Sequence, residues 1–328
     1  MQTSYIYSAS RVNALTQFLL SKTDIERLLV ADPGEELQSA LKETYLAPYV
    51  VRVPDESVPL AIEQTLIDAK RLIHRITPQG DMFRIMWVQY DIHNLRVFAK
   101  ARVAGLTYEA CDPYLSKRGI YEPDYLFKHV ENDSLDFLQP EWQAGFARAV
   151  ESAKDGDLGR IDSVLDDLYF ITAKRIVATL GDDFMKRYLA TLIDLYNLKS
   201  RLRHLTNTEV SFTPAFVEGG SFVAEHIETL EDTLALFHRF GGEGFWKDAL
   251  QYFTETGNFT RIDARAAEYL LITAKEGSYD MFSSASLVLY YLKCRQAAAN
   301  VRTIVVGKNN GLSLEDIRTN LRMAYVND

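Results

Sequence analysis

The chain has 328 residues, of which 47% are hydrophobic and 25% are charged, an ordinary globular composition with ample material for a buried core. Its formal net charge of −9 argues against a nucleic-acid binder, which usually carries a basic stripe that neutralises phosphates, and against adsorption to an anionic membrane surface. Only two cysteines are present, Cys111 and Cys294, without a Cys-x-x-Cys pair, so we expect a reducing compartment and no disulfide framework.

The first residues show neither the basic region nor the apolar run of a signal peptide. The longest apolar runs are short, such as residues 287–292, whereas a spanning helix needs ~20 apolar residues. We therefore expect no signal peptide and no membrane span.

Taken in chain order, helical periodicity dominates the sequence and predicts an all-α fold. Helices are predicted at 11–20 and 35–45, followed by three long hairpins, 60–76 with 81–104, 161–180 with 184–205, and 262–275 with 281–306. Shorter helices are predicted at 123–130, 140–153, 223–240 and 245–254, and a capping-box-like spacing of Ser313 and Asp316 starts a last helix to Met323. Local β character is confined to residues 49–53, too few to carry a sheet.

One stretch recurs three times along the chain. Asn94, Asn197 and Asn300 stand 103 residues apart, each inside the second arm of a predicted hairpin. Other landmarks keep nearly the same period, namely residues 156–162 and 257–263, Trp142 and Trp246, and Gly119 and Gly220. This period predicts three pseudo-symmetric helical repeats of about 100 residues, at 1–122, 123–225 and 226–328, packed as one body.

Each repeated helix has two different faces. Positions −9, −2, +1 and +5 from the Asn form an apolar stripe, which we interpret as the core seam of each hairpin; the stripe consists of Ile85, Ile92, Leu95 and Ala99, then Tyr188, Leu195, Leu198 and Leu202, then Tyr291, Ala298, Val301 and Val305. The Asn lies on a second, polar face with position −3, which is Asp91, Asp194 or Ala297. Because a buried Asn without partners is costly, it should hydrogen-bond to an adjoining helix or loop.

Two interpretations of this polar face stay open. Asp91, Asn94, Asp194, Asn197 and Asn300 are either structural polar positions that hydrogen-bond between units, or they line a shared cavity or groove.

No constellation of residues indicates catalysis. The six histidines form no metal-binding spacing, and phosphate-loop, dinucleotide and nucleophile-elbow motifs are missing, so we expect no cofactor, no metal and no enzymatic activity. The carboxylates of Asp162, Asp166 and Asp167 are explained by solvated helix faces.

The repeated helices resemble a known family. Asp91-x-x-Asn94-Leu-Arg96 with Lys100, Arg102 and Gly105 resembles the C subunit of prokaryotic V-type (A-type) ATP synthases, called the d subunit in eukaryotic vacuolar ATPases. Residues 194–203 resemble the second copy of that pattern, residues 300–321 the third, and Tyr7 with Arg11-Val12 the opening of the family. The resemblance spans essentially the whole chain, and Ala297 is an internal departure from it.

The resemblance implies a fold and a role. Members are non-catalytic, all-helical funnels with three lobes and a central hollow, peripheral to the membrane on its cytoplasmic side. The wide end sits on the rotor ring of proteolipid subunits, and the hollow receives the central stalk of subunits D and F. The chain would thus be a socket that transmits torque for ATP-coupled H⁺ or Na⁺ transport.

Repeated basic residues are the candidate partner-binding positions. We expect Arg96, Lys100, Arg102, Lys199, Arg201, Arg203 and Arg302 to contribute to a surface that contacts stalk or ring, with surface solubility as the competing explanation. Two other functions fit the sequence less well: a helical-repeat scaffold that binds peptide or protein partners in a concave groove, and a metal-dependent hydrolase. The first conflicts with solenoid periods of roughly 20–50 residues, and the second lacks ligands.

Overall fold

The computed structural model describes residues 4–52, 57–206 and 215–326, and within them the predicted all-α class is confirmed, since they contain no β-strand. None of the helices in this part combines the length and the apolarity that a bilayer crossing requires. The helices are, in chain order, α1 (Ile6–Thr16), α2 (Lys22–Val30), α3 (Glu35–Leu41), α4 (Ala47–Val50), α5 (Val58–Ile76), α6 (Arg84–Ala104), α7 (Tyr108–Cys111), α8 (Pro123–Glu131), α9 (Pro140–Lys154), α10 (Leu158–Leu180), α11 (Asp183–Thr206), α12 (Leu230–Phe237), α13 (Glu243–Thr256), α14 (Thr260–Gly277), α15 (Ala285–Asn309) and α16 (Leu314–Thr319).

Packing divides the chain into two compact units. Unit 1 combines the segments Met1–Gly80 and Ala267–Asp328, and unit 2 is the continuous segment Asp81–Ala266. The division runs through α14 and does not follow the repeat boundaries at 122 and 225, so the threefold organisation of the sequence stays a prediction.

Local chemistry explains many helix boundaries. Ser21 caps α2 through a capping box with Asp24, and Ser313 accepts a hydrogen bond from the Asp316 N–H at the start of α16. Proline stands at the first or second position of α4, α5, α8 and α9, where its missing N–H costs nothing. At the other end of α6, Gly105 adopts the left-handed conformation of a helix stop, with φ 64°.

Two sequence predictions are wrong in local detail. The β character assigned to 49–53 gives way to α4 and a turn at 51–52, because Leu46 and Val50 are buried one helical turn apart; Val53 lies outside the described residues. The helix predicted at 223–240 is broken into a 3-10 turn, Ala224–Ile227, and α12, because the Thr229 side chain caps α12 by accepting from the Asp232 N–H.

The core of unit 2 lies where α6 packs on α9 and α10. The predicted stripe residues Ile92, Leu95 and Ala99 are buried there against residues of α9 and α10 such as Phe146 and Leu165. The seam of α6 is thus formed with the following helix pair, which corrects the prediction that it lies inside one hairpin. In unit 1 the equivalent helix, α15, packs on α5 and α1.

Candidate functional site

The repeated Asn residues each hold a loop about 20 residues downstream. The Asn94 amide donates to the Ser116 carbonyl and accepts from the Ser116 N–H, both at 2.9 Å. Asn197 makes the same pair of bonds with Val217, at 2.8 and 3.0 Å, and Asn300 makes it with Arg322, at 3.0 and 2.7 Å. All three Asn side chains are buried, so each satisfies a backbone donor and acceptor away from water. The partner is a loop of the same predicted repeat, not a neighbouring unit. We call this arrangement the Asn clamp.

The carboxylate one turn before the clamp holds the same loop in two of the copies. Asp91 accepts from the N–H groups of Ile120 and Tyr121 at 2.7 and 3.1 Å. Asp194 accepts from the Ser221 N–H at 2.9 Å and from its hydroxyl at 2.6 Å. Burial is the main cause that raises the pKa of Asp194, and the bonds from Ser221 oppose it.

A glycine makes room for each of these carboxylates. A Cβ placed on Gly119 would lie closer than 3.0 Å to Oδ1 of Asp91, and a Cβ on Gly220 equally close to Oδ1 of Asp194. The sequence pairs Gly119 with Gly220 by period alone; the contact with the aspartates could not be predicted from the sequence, since it joins residues 26 to 28 positions apart.

The third copy has different residues at both the helix position and the loop position. Ala297 stands where the other copies have Asp, and Tyr325, which is buried, stands three residues after the clamped Arg322, the spacing at which Gly119 and Gly220 follow Ser116 and Val217. The third copy thus has a small residue at the helix position and a large residue at the loop position, the reverse of the other two copies.

In two of the three copies, the basic residue two positions after the clamp forms an ion pair with a later helix. Nε of Arg96 lies 2.7 Å from Asp162 and its Nη2 lies 2.8 Å from Asp166, both on α10. Nζ of Lys199 lies 2.8 Å from Asp263 on α14. Asp162 and Asp263 belong to the two matching stretches 156–162 and 257–263, so the period that the sequence reveals is also the period of these ion pairs. They are not merely solvated carboxylates, as the sequence suggested for Asp162 and Asp166.

Asp166 is the most enclosed of these carboxylates. Burial is the largest cause of its raised pKa, and Arg96 acts in the opposite direction. Its neighbour Asp167 also has a pKa raised by burial.

Two further candidate cations bind backbone carbonyls in unit 2. Arg102 donates to the Val130 carbonyl at 3.1 Å and pairs with Asp133, which lowers the pKa of that carboxyl. Arg201 donates to the carbonyls of Ile227 and Glu228, each at 2.8 Å. Each bond thus ties the C-terminal part of a long helix, α6 or α11, to the segment that follows it in the chain.

The remaining candidates are available to a partner. Lys100 and Arg302 are exposed and have no hydrogen-bond or ion-pair partner within the described residues. Arg203 is exposed and stacks its guanidinium 5.0 Å from the ring of Phe259. Of the seven predicted partner-binding residues, Arg96, Arg102, Lys199 and Arg201 form internal hydrogen bonds or ion pairs, and Arg203 makes the internal aromatic contact.

Unit 2 also contains two cavities beside these residues. One, of about 620 Å³, is lined by Arg102, Asp133, Phe146 and Lys154 among others. The second, of about 340 Å³, is lined by Asn197, Arg201 and Glu228 among others. Among residues 4–52, 57–206 and 215–326, no group of three or more His, Cys, Asp or Glu side chains could hold a metal ion.

Comparisons with known proteins converge on one family. The ATP synthase (C/AC39) subunit family matches residues 9–320. The chain is similar to the C subunit of the V-type sodium ATPase of Enterococcus hirae, with 21% identity over 320 residues and 94% of each chain covered. It is also similar to the C subunit of the A-type ATP synthase of Thermococcus kodakarensis, with 23% identity and coverage of 96% of this chain and 90% of the relative. The corresponding A-type ATP synthase protein of Methanosphaera stadtmanae is 28% identical over 212 residues, 61% of this chain and 54% of that relative.

Proposed function

Because the chain belongs to the ATP synthase (C/AC39) subunit family, a family of non-catalytic structural subunits of rotary ATPase complexes, we propose that it is the socket between the central stalk and the membrane ring. In this role it receives the stalk subunits D and F, rests on the proteolipid ring at the cytoplasmic side of the membrane, and transmits torque for ATP-coupled H⁺ or Na⁺ transport. The family match over residues 9–320 carries the proposal.

Stiffness of the repeated unit supports the proposal. A part that passes torque must not bend at its loops, and each Asn clamp fixes a loop to a long helix by two hydrogen bonds at a buried site. The same clamp recurs in all three predicted repeats, 1–122, 123–225 and 226–328, which supports three lobes built alike around a hollow.

The unpaired cations support a charged contact with a partner. Lys100 and Arg302 are exposed, and the chain as a whole carries a net charge of −9, so a cation left without an internal carboxylate is available for one on another protein. We assign these two residues, with Arg203, to the contact surface. Arg96, Arg102, Lys199 and Arg201 support that surface from within through their ion pairs and carbonyl contacts.

Reconstitution tests the proposal. Membranes carrying the rotor ring are stripped of peripheral subunits, and the purified chain is added back with and without the isolated D–F stalk. A socket binds both partners and, once the ATP-hydrolysing head and the other stripped subunits are added back as well, restores ATP hydrolysis that is coupled to ion transport. Binding to neither partner would overturn the proposal.

Charge reversal tests the contact surface. We expect the double variant Lys100→Glu/Arg302→Glu to bind the stalk or the ring at least tenfold more weakly, about 1.4 kcal/mol. The matched control is Arg160→Glu/Lys247→Glu, which reverses one Arg and one Lys on exposed positions away from the clamps. Equal binding by both double variants would remove Lys100 and Arg302 from the contact surface.

A further inference from the structure

The larger of the two cavities described above has the size of a small-molecule binding site. It lies between the end of α6, the turn that precedes α9 and one face of α9, and all of its lining residues belong to unit 2. Its volume is about 620 Å³. Ligand pockets typically have volumes of roughly 300–1,000 Å³, so a free organic molecule fits here.

Apolar side chains form the floor of this cavity. Leu135, Phe146 and Val150 are buried beneath it, Val103 is 43% exposed at its edge, and Ala147 is exposed on the face of α9. An apolar body placed on this floor would remove carbon surface from water, which favours binding.

The predicted repeat does not require an apolar floor. When α9 and α13 are matched at their tryptophans, Gln251 and Thr254 take the places of Ala147 and Val150. Both are exposed in α13, and the Gln251 amide donates to Glu255 at 2.9 Å. A helix at this place in a repeat can therefore be polar, so the apolar floor is a property of this cavity and not of the fold.

The two cations at the rim of the cavity are already paired. Nη1 of Arg102 lies 2.6 Å from Oδ1 of Asp133, and its Nη2 donates to Oδ2 at 2.8 Å. Nζ of Lys154 donates to Glu151 at 3.1 Å. An anionic ligand would compete with these carboxylates for the cations, which disfavours an anion.

The polar groups at the rim that stay free are hydrogen-bond acceptors. Asp136 is exposed, and its carboxylate has no hydrogen-bond or ion-pair partner within the part of the chain that the structure describes. The amide nitrogen of Gln143 donates to the Leu138 carbonyl at 2.9 Å, which leaves the amide oxygen to accept from a ligand. Because the lining holds three carboxylates and two cations, it has one negative charge in excess.

We propose that this cavity binds a small organic ammonium ion with an apolar body. The ammonium group donates to Asp136 and to the Gln143 oxygen, and the body lies on Phe146, Ala147 and Val150. The excess charge, the free acceptors and the apolar floor each favour this class of ligand. The site goes beyond the proposed function and does not depend on it.

Three probes with the same apolar body and different charge test the ligand class. Hexylamine, hexanol and hexanoate are cationic, neutral and anionic at pH 7, and their binding to the whole purified chain is measured by isothermal titration calorimetry at low salt. We expect hexylamine to bind at least tenfold more tightly than hexanoate, with hexanol between them. Added salt should weaken the binding of hexylamine more than that of hexanol.

Two variants locate the site. Asp136→Asn keeps the shape of the side chain and removes its charge, so hexylamine should lose most of its advantage over hexanol. Ala147→Phe fills the cavity from the exposed face of α9 and should weaken the binding of hexylamine at least tenfold. The matched control is Ala235→Phe, because Ala235 is exposed on α12 and does not line the cavity. Urea unfolding verifies that each variant is folded.

Several results would overturn the ammonium site. They are undetectable binding of hexylamine, binding of hexanol or hexanoate as tight as that of hexylamine, an unchanged preference in Asp136→Asn, undiminished binding by Ala147→Phe, and an equal loss in Ala235→Phe. The stalk and the ring take no part in these measurements, so none of these results affects the socket.

Discussion

At the scale of single residues, two of the clamped loops depend on a glycine, whose missing side chain leaves room for a buried carboxylate. Gly119 and Gly220 lie against carboxylates that have no room to move, because Asp91 and Asp194 are buried and hold loop N–H groups. The third copy shows the alternative solution, with Ala297 on the helix and Tyr325 in the loop. These opposite sizes at corresponding positions predict that the helix residue and the loop residue are coupled by size.

Gly220→Ala tests this coupling. The added methyl group would displace Asp194 from Ser221, so we expect a loss of about 2–4 kcal/mol in the free energy of unfolding, measured with urea. The control Gly244→Ala adds a methyl group inside α13, where nothing lies within 4 Å, and should stabilise by up to about 1 kcal/mol. If Asp194→Ala/Gly220→Ala costs the full sum of the two single changes, the size coupling is wrong.

Asn94→Ala tests the clamp itself. The change removes both hydrogen bonds between Asn94 and the Ser116 backbone at a buried site, and each lost bond costs about 1–3 kcal/mol. We expect a total loss of about 2–4 kcal/mol in urea unfolding. Asn132→Ala is the matched control, since Asn132 is exposed and makes one side-chain bond to the Lys128 carbonyl; its loss should stay within about 0.5 kcal/mol. Equal losses in both variants would contradict the assigned role.

At the scale of helices, periodicity predicts which face is buried but not what covers it. The stripe on α6 and the polar face beside it follow from the 3.6-residue repeat, and Asn94 is buried as its predicted hydrogen bond requires. The partner of the stripe could not be predicted, because α10 lies some 70 residues along the chain and hairpin arms are the default neighbours for helices joined by a short turn. Arg96 with Asp166 shows the same limit: each residue alone is an ordinary helix charge, and only the packing of α6 on α10 brings them together.

Arg96→Met tests the link between α6 and α10. The Met keeps most of the apolar stem, so the change removes mainly the charge from beside Asp162 and Asp166. Since Asp166 is enclosed, we expect a loss of about 1–3 kcal/mol in the free energy of unfolding at pH 7. The control Lys199→Met breaks a more exposed pair with Asp263 and should cost at most about 1 kcal/mol.

The loss in Arg96→Met should depend on pH with a definite sign. Burial raises the pKa of Asp166 in the folded protein, and removing Arg96 raises it further, so the folded state binds a proton before the unfolded state does as pH falls. The penalty is largest above the raised folded pKa and shrinks as pH falls through it towards the unfolded value of 3.8. The gap in unfolding free energy between wild type and Arg96→Met should therefore narrow from pH 7 to pH 4.5; a gap that widens would refute this account.

At the scale of the whole molecule, the sequence predicts the helical class and the long helices to within a few residues, but not the two compact units. Composition and periodicity are local or nearly local properties, whereas unit 1 is built from both ends of the chain. Its contacts join residues almost 300 positions apart, such as Lys308 with the Ala31 carbonyl at 2.5 Å and Arg318 with Glu26. No sequence pattern in either segment indicates the other.

The packing of unit 1 depends on its C-terminal segment, which supplies α15 and α16. Ile317 of α16 is buried and packs on Gly307, where a Cβ would come within 2.7 Å of its side chain, so α16 covers the end of α15 closely. Ile317→Ala should cost about 2–4 kcal/mol. We expect amide hydrogen exchange of α16 and of the C-terminal half of α15 to speed up at least about tenfold, since 1.4 kcal/mol corresponds to a factor of ten.

Hydrogen exchange of Ile317→Ala also shows whether the two units open independently of each other. The packing that Ile317→Ala weakens lies inside unit 1, so exchange in α9 and α10 of unit 2 should stay at the wild-type rate, and so should the fluorescence of Trp87, Trp142 and Trp246, which all belong to unit 2. Leu314→Ala is the control on the same helix, because Leu314 is 46% exposed and its truncation removes little buried surface. Faster exchange in α9 and α10 to the same degree as in α15 would show that the chain opens as one cooperative body, because a local opening reaches only the segment whose packing has been weakened.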